Sequence, residues 1–162
     1  MTPCSATDVA AHLIRNAGEC DITNLVLQKL LYLCQAEAVR VTGRPLFEDE
    51  MVAWQSGPVV RDVYYAYAYR GASRLRHVCS VTHANAPNDI WVERPKDLDD
   101  EPARIVDEVL DRWRDKSLWD VTAYVTAPSR AWYKTYRPYE GNMRFGAVIR
   151  PELMADDPGP QE

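Results

Sequence analysis

Glycine-rich loops, paired cysteines and an excess of basic charge are all missing from this sequence. Its seven glycines form neither a Gly-x-Gly-x-x-Gly run nor a Walker pattern, so the usual phosphate-binding loops are absent. The four cysteines show no paired spacing, which favours reduced thiols over a disulfide framework. A formal net charge of -5 argues against broad affinity for nucleic acid, because neutralising phosphates requires a basic surface.

Long apolar runs are also missing. No stretch approaches the roughly 20 residues that a membrane-spanning helix requires. The N-terminus has no basic segment followed by an apolar core, so no secretory signal is predicted. We therefore expect a cytoplasmic protein without a membrane partner. The length of 162 residues, 46% of them hydrophobic, suits one compact domain.

Helical periodicity is the main pattern that the sequence contains. Ser5 can cap a first helix, with Asp8 at capping-box spacing. Thr23 can cap a second helix, whose apolar stripe continues until Gly43 and Pro45 end it. This second helix is predicted to be the central helix of the core.

Weaker patterns complete the predicted fold. A short hairpin is expected within residues 78–92. The expected class is mostly α: a compact, single multi-helix domain with a few short strands or a small hairpin. The domain is predicted to cover residues 1–155, and residues 156–162 to form a polar C-terminal tail. Further helices are predicted to begin at Gly57-Pro58, Asp99 or Asp100, Ser117, Pro128 or Ser129, and Pro151.

Charge is unevenly distributed along the chain. Residues 96–120 contain five bases and nine acids, a local net charge of -4. Residues 126–150 contain five bases and one acid, a local net charge of +4. Such segregation favours steering toward a charged partner, and the basic segment would attract an acidic one.

Reactive side chains form no complete catalytic or metal site in the sequence. His77, Cys79 and His83 are close in sequence, but no partner pair completes a tetrahedral set, and a polar loop is the simpler interpretation. Cys34 could pair with His12 as a nucleophile, but its leucine-rich surroundings favour an inert, buried thiol. We therefore predict no enzyme activity, no metal and no cofactor.

Aromatic residues provide the strongest sign of a binding surface. Tyrosines surround the third predicted helix at positions that cannot all face inward, and residues 130–145 interleave aromatic with basic side chains. Tyrosine, tryptophan and arginine are enriched at interface hot spots. The same mixture could stack single-stranded nucleic acid, or form core. The residues predicted to bind a partner are Tyr32, Trp54, Tyr65, Tyr69, Trp132, Tyr136 and Arg137.

Two blocks, residues 22–47 and 53–64, resemble the Panacea domain of antitoxins. The resemblance continues more weakly through residues 118–132, where a histidine that the family usually has before a Pro-Trp pair is absent. Thr23 fits a cap and the leucines fit packing, whereas Gln28, Lys29 and Trp54 are less easily explained by packing alone. The residues that carry the resemblance are Thr23, Leu27, Gln28, Lys29, Leu30, Leu31, Tyr32, Pro45, Leu46, Phe47, Trp54, Gly57, Pro58, Val59 and Tyr64.

This resemblance implies a bacterial or prophage antitoxin that neutralises a co-encoded toxin by direct protein–protein binding. Similar proteins neutralise unrelated toxins, among them alarmone-synthetase-like enzymes and small membrane-active peptides, and one delivers its toxin to a protease. A proteolytic adaptor using residues 155–162 is therefore the main alternative. An uncharacterised enzyme and a transcriptional autoregulator are further alternatives. Nucleic acid is disfavoured as a partner, and the toxin and the oligomeric state are left open.

Overall fold

The computed structural model describes residues 4–137 and 146–157. Within these ranges helices predominate and the strands are short, so the expected mostly α class is confirmed. Tyr139, Arg144 and Phe145 of the mixed aromatic and basic segment lie outside the described residues. The helices are α1 (Ala6–Arg15), α2 (Asn24–Thr42), α3 (Arg61–Tyr67), α4 (Asp100–Trp113), α5 (Leu118–Val125) and α6 (Ala131–Tyr136). The strands are β1 (Met51–Trp54), β2 (Gly57–Val59), β3 (Val81–Ala86), β4 (Asp89–Glu93) and β5 (Ala147–Ile149), with 3-10 turns at Ala68–Arg70 and Pro151–Asp156.

Helix α2 is the central element of the core. The Thr23 hydroxyl accepts a hydrogen bond from the Val26 amide at 3.3 Å, which confirms the predicted cap. Gly43 ends the helix in the left-handed conformation (φ 75°), where a side chain would be strained. Because α1, α3, α4, α5 and the C-terminal 3-10 turn all contact it, α2 is buried on nearly every side.

Two of the helices around α2, namely α1 and α5, begin at capping boxes. Ser5 and Asp8 form a complete capping box at the start of α1, as the sequence predicts. Ser117 forms a second capping box at the start of α5. On α4, Val106 and Val109 are fully buried, while the opposite face is charged. None of the helices in the described ranges has the length and apolar character needed to span a membrane.

The strands form two separate antiparallel sheets. In the first, β1 lies between β2 and β5, with Ala53 opposite both Pro58 and Ala147. The second is the β3–β4 hairpin, which confirms the hairpin expected within residues 78–92. A register shift between Ala84 and Ala86 marks an irregularity near its turn. Strands β1 and β2 precede α3 in the sequence, whereas the hairpin and β5 follow it.

The predicted start of α3 at Gly57-Pro58 is wrong. Gly57 has φ 134°, which is incompatible with a helix, and pairs with Trp54 as the first residue of β2. The helix begins instead at Arg61, after Val60 has donated its amide to a buried side chain of α2. Long-range pairing with β1 therefore overrides the local compatibility of proline with a first helical turn.

Buried amide side chains join α2 to the segments that follow it. Gln28 Oε1 accepts from the Val60 amide at 3.0 Å, which holds the chain entering α3. Gln35 Oε1 accepts from the amides of Leu46 (2.7 Å) and Phe47 (3.2 Å), and its Nε2 donates to the Phe47 carbonyl at 2.9 Å. Since this segment forms no helix or strand, Gln35 supplies the partners that its backbone needs.

The C-terminal turn is fastened to the core by Asp157. Its Oδ1 accepts from the Ala131 amide at 2.8 Å, and its Oδ2 accepts from the Tyr32 hydroxyl at 2.5 Å. Burial raises the pKa of Asp157, although these hydrogen bonds oppose the shift. Asp157, which the sequence assigns to the polar tail, is therefore bonded to α2 and α6.

Gln35→Leu should lower the free energy of unfolding by about 3 kcal/mol, because two buried backbone amides would lose their acceptor. Urea denaturation measures the change. The matched control is Gln55→Leu at an exposed position, which should shift stability by no more than about 0.5 kcal/mol. Equal effects of the two substitutions would contradict the structural role of Gln35.

Candidate protein-interaction surface

An exposed aromatic cluster lies where β1 meets α3. Its members, Trp54, Tyr64 and Tyr65, pack edge to face, with ring centroids 5.0 Å, 5.5 Å and 6.4 Å apart. Tyr65 is 62% exposed, and the other two are half-buried. A Cβ at Gly146 would lie 2.8 Å from the Trp54 ring, so glycine lets the chain pass directly against it. The aromatic cluster is therefore held rigidly while its outer rings face solvent.

Two acidic grooves adjoin this region. The α3 groove, of about 580 Å³, lies between α3 and β3, with Asp49, Glu50, Asp62 and Tyr65 among its lining residues. The β4 groove, of about 560 Å³, lies near the start of α1. Its charged lining residues are Asp8, Glu48, Asp49, Glu93, Lys96, Asp97 and Asp99. Both grooves present more carboxylates than cations, so this face of the protein is negative.

The β3–β4 hairpin presents a further apolar surface that the sequence reasoning missed. Ile90, Trp91 and Val92 are all exposed, and Val92 lies opposite Thr82 in the register. Three consecutive apolar residues in a two-stranded hairpin must place some on the outer face, which is the signal that could have revealed this surface.

Lys29 lies beneath the turn that joins β1 to β2. The side chain is 3% exposed, and its Nζ is 3.6 Å from the position that a Cβ at Gly57 would occupy. Among the described residues, no hydrogen bond or ion pair reaches its ammonium. The only side-chain polar atom there that is fully shielded from solvent without a partner is the Thr135 hydroxyl oxygen, so the Lys29 ammonium keeps slight contact with solvent. Burial lowers the pKa of Lys29 as a result. A buried charge of this kind is not explained by packing, in agreement with the sequence analysis.

Two of the aromatic residues predicted to bind a partner lie in the core, so the expectation that they face solvent is wrong. Tyr32 is fully buried, and burial together with the charge of Asp157 raises its pKa. Trp132 is buried as well, because its Nε1 donates to the Trp54 carbonyl at 2.8 Å and its ring stacks on Tyr136 at 4.9 Å. These two residues support the surface from below rather than forming it.

The other predicted residues lie in three places. Tyr65 belongs to the aromatic cluster, whereas Tyr69 is exposed on the 3-10 turn with its hydroxyl 3.7 Å from Cys79 Sγ. Tyr136 is half-buried and Arg137 is exposed at the end of α6. The structure thus brings Trp54 and Tyr65 together and leaves Tyr69 and Arg137 outside the cluster.

Arg130 differs from the expectation of an exposed basic segment. It is buried, its guanidinium lies 3.7 Å from the centre of the Tyr124 ring, and its Nε donates to the Tyr124 carbonyl at 3.1 Å. Lys134, Arg137 and Arg150 remain exposed. The basic character of residues 126–150 is therefore only partly available to a partner.

The proposed nucleophile pair does not form. Cys34 is fully buried, and burial first, then nearby acidic groups, raise the pKa of its thiol. His12 instead contacts Asp107 on α4, with 2.8 Å between Nε2 and Oδ1. An un-ionised thiol without a base nearby is a poor nucleophile, so these residues offer no route to covalent catalysis.

His83 lies between the two grooves and contacts a carboxylate on each side. Its Nδ1 is 2.7 Å from Asp62 Oδ2, and its Nε2 is 2.8 Å from Glu93 Oε1. Burial acts to lower the pKa of His83, but the two hydrogen bonds outweigh it and raise the pKa. Burial likewise acts to raise the pKa of Glu93, but hydrogen bonds from Ser5, His83 and Thr7 lower it.

A small helical body with a supported aromatic surface is typical of protein-interaction domains. The sequence matches the family described as "Antitoxin SocA-like, Panacea domain" over residues 27–133. This match covers more than half of the chain, and the chain belongs to that family. The match contains Lys29 and the whole aromatic cluster.

One relative is Antitoxin SocA of Caulobacter vibrioides (strain NA1000 / CB15N). The two sequences are 33% identical over 96 residues, which cover 58% of this chain and 51% of the relative. This chain therefore matches about half the length of that relative. No solved structure is significantly similar to this chain.

Lys29→Met should leave the free energy of unfolding at pH 7 unchanged or raise it by about 1 kcal/mol. The substitution removes a buried charge but retains an unbranched apolar chain of similar length. Between the lowered pKa of Lys29 and its ordinary value of 10.5, the folded wild-type protein releases a proton that the unfolded chain retains. Wild-type stability should therefore rise relative to the variant as the pH increases through that window.

Urea unfolding at several pH values measures both effects. Lys134→Met, at an exposed position on α6, is the control for loss of a lysine charge and should change stability at pH 7 by no more than about 0.5 kcal/mol. A loss of more than about 1 kcal/mol at pH 7 in Lys29→Met would contradict the assignment of Lys29 as an unpaired buried charge.

Proposed function

We propose that this protein is an antitoxin that binds its co-encoded toxin directly, through the aromatic cluster and the α3 groove. The observation that carries the proposal is the exposed cluster of Trp54, Tyr64 and Tyr65 in a domain of an antitoxin family. In this mechanism the toxin is inactivated because its active surface is covered. No reaction is catalysed by the antitoxin.

The aromatic cluster has the physical properties of an interface hot spot. Tyr65 exposes most of its ring, so a partner can desolvate it, while Trp54 and Tyr64 limit its motion. Little side-chain entropy is then lost on binding. A standard interface covers about 800 Å² of each partner. That area is less than a tenth of the 9244 Å² surface of this protein.

Charge favours a toxin with a basic contact surface. The α3 groove beside Tyr65 contains Asp49, Glu50 and Asp62, and its basic lining residues within the described ranges are Arg61 and His83. The basic segment suggested an acidic partner, but Arg130 is buried against Tyr124. Since complementary charge raises association rates and disfavours wrong partners, a basic toxin surface fits this face better.

Tyr65→Ala should weaken toxin binding about 30-fold, because loss of a hot-spot aromatic costs about 2 kcal/mol or more. The toxin would be the product of the adjacent reading frame. Binding is measured by calorimetry with purified proteins, and neutralisation by growth on co-expression. Trp119→Ala is the matched control: Trp119 is 83% exposed on α5 and lies outside both grooves.

Wild-type affinity and growth rescue in Tyr65→Ala would overturn the assignment of this surface. A circular dichroism melt of each variant confirms that it is folded. If the wild-type protein neither binds the neighbouring product nor restores growth, the antitoxin proposal itself fails.

The cells that co-express the two proteins also distinguish a toxin that is covered by the antitoxin from a toxin that is delivered to a protease. Occlusion leaves the amount of toxin unchanged, as measured by immunoblot, whereas delivery lowers it. A tail deletion that tests the adaptor alternative must retain Asp157, because its carboxylate accepts hydrogen bonds from the Tyr32 hydroxyl and the Ala131 amide. A chain ending at Asp157 is therefore the appropriate tail deletion. Rescue by this shortened chain with undiminished toxin supports occlusion.

A further inference from the structure

Three potential metal ligands converge where the two acidic grooves meet. One ligand atom from each of Asp49, His83 and Glu93 lies within 4.8 Å of the others. Nitrogen and oxygen ligands bind Zn²⁺ at about 2.0–2.2 Å, so two ligands at the tetrahedral angle lie about 3.4 Å apart. The widest pair in the cluster would have to close by up to about 1.4 Å, which requires a change of carboxylate rotamer. His83 Nε2 and Glu93 Oε1, 2.8 Å apart, would have to separate slightly.

Each candidate ligand is held by a second group. Asp62 Oδ2 lies 2.7 Å from His83 Nδ1, within hydrogen-bond distance. The Ala6 amide donates a hydrogen bond to Asp49 at 2.9 Å. Glu93 accepts hydrogen bonds from the hydroxyls of Ser5 and Thr7. Metal-binding histidines typically donate their other ring N–H to a carboxylate, which orients the ring. His83 and Asp62 have that arrangement.

The local charge also favours a cation. A neutral imidazole has one N–H, so it can donate to only one of its two carboxylate neighbours. The second contact, between Nε2 and Glu93, then requires a further proton or a metal ion. His83 is 7% exposed, and Asp49, Asp62 and Glu93 supply three negative charges around it. A metal ion on Nε2 takes the place of the second imidazole proton, so a divalent cation would leave one negative charge in excess, whereas the protonated histidine leaves two.

We propose that Asp49, His83 and Glu93 bind a divalent transition-metal ion, with Asp62 positioning the histidine. One nitrogen and two oxygen ligands suit Zn²⁺ or Mn²⁺ better than Mg²⁺, which prefers oxygen ligands and retains most of its water. The ion would join β3 and β4 to the loop before β1. The site differs from the His77, Cys79 and His83 set that the sequence suggested, and it does not depend on the proposed antitoxin function.

The test uses the full-length protein after treatment with EDTA. Isothermal titration with Zn²⁺ should show one equivalent bound, and Mg²⁺ should bind far more weakly. The sequence has three histidines, so imidazole NMR signals can be assigned with the variants His12→Gln and His77→Gln. Zn²⁺ should shift the signals of His83 and leave those of His77 unchanged.

Matched substitutions test two of the three ligands and the carboxylate that positions the histidine. His83→Gln and Asp49→Asn should weaken Zn²⁺ binding at least 100-fold, and Asp62→Asn about 10–100-fold as an outer-shell change. Glu48→Gln is the control for Asp49→Asn, since Glu48 is an exposed acid in the same groove but outside the cluster. His77→Gln is the control for His83→Gln. Both controls should retain wild-type affinity.

Several results would overturn the site. The first is that the wild-type protein does not bind Zn²⁺. The second is that His83→Gln or Asp49→Asn leaves the Zn²⁺ affinity unchanged. The third is that Glu48→Gln and Asp49→Asn weaken binding equally, which would indicate general attraction of the ion to an acidic surface. Asp49→Asn keeps an oxygen acceptor for the Ala6 amide, so the fold should survive in this variant even if His83→Gln is unstable.

Discussion

Burial of α2 on nearly every side is the constraint on which the rest of the structure depends. Polar side chains on such a helix have little access to water, and Gln28 and Gln35 are satisfied internally because they accept hydrogen bonds from backbone amides of the following segments. The same bonds fix where the chain leaves the core after α2 and where it enters α3. Two glutamines that would otherwise be costly to bury therefore determine the path of residues 44–60.

That path places the aromatic cluster at the surface. Since the Val60 amide is held by Gln28, α3 cannot begin at Gly57, and residues 57–59 pair with β1 instead. The pairing brings Trp54 beside Tyr64 and Tyr65, and Trp132 supports Trp54 from the core side. Rings that look equivalent in the sequence thus divide into supporting and exposed groups according to the position of α3.

The metal-ligand cluster depends on a similar long-range effect. Asp49 precedes β1, whereas His83 and Glu93 lie on the hairpin, and the N-terminal ends of α1 and α3 contribute groups that hold them. Sequence proximity pointed to His77 and Cys79 as companions of His83. In the structure, Cys79 lies near the tyrosines of α3 and its 3-10 turn: its amide donates to the Tyr67 hydroxyl at 2.9 Å, and its Sγ is 3.7 Å from the Tyr69 hydroxyl.

The sequence predicts those structural features that depend on residues close together in the chain. The capping residues Ser5, Thr23 and Ser117, the end of α2 at Gly43 and the mostly helical class all follow from neighbouring residues, and so they could be predicted. The family motif also lies within a short stretch and was recognisable from its residues. Exposure could not be predicted in the same way, because it depends on neighbours in space: Tyr32 and Trp132 are buried, whereas Tyr65 is exposed. Only tertiary packing decides which ring meets solvent and which carboxylates surround His83, since those contacts join residues far apart in the chain.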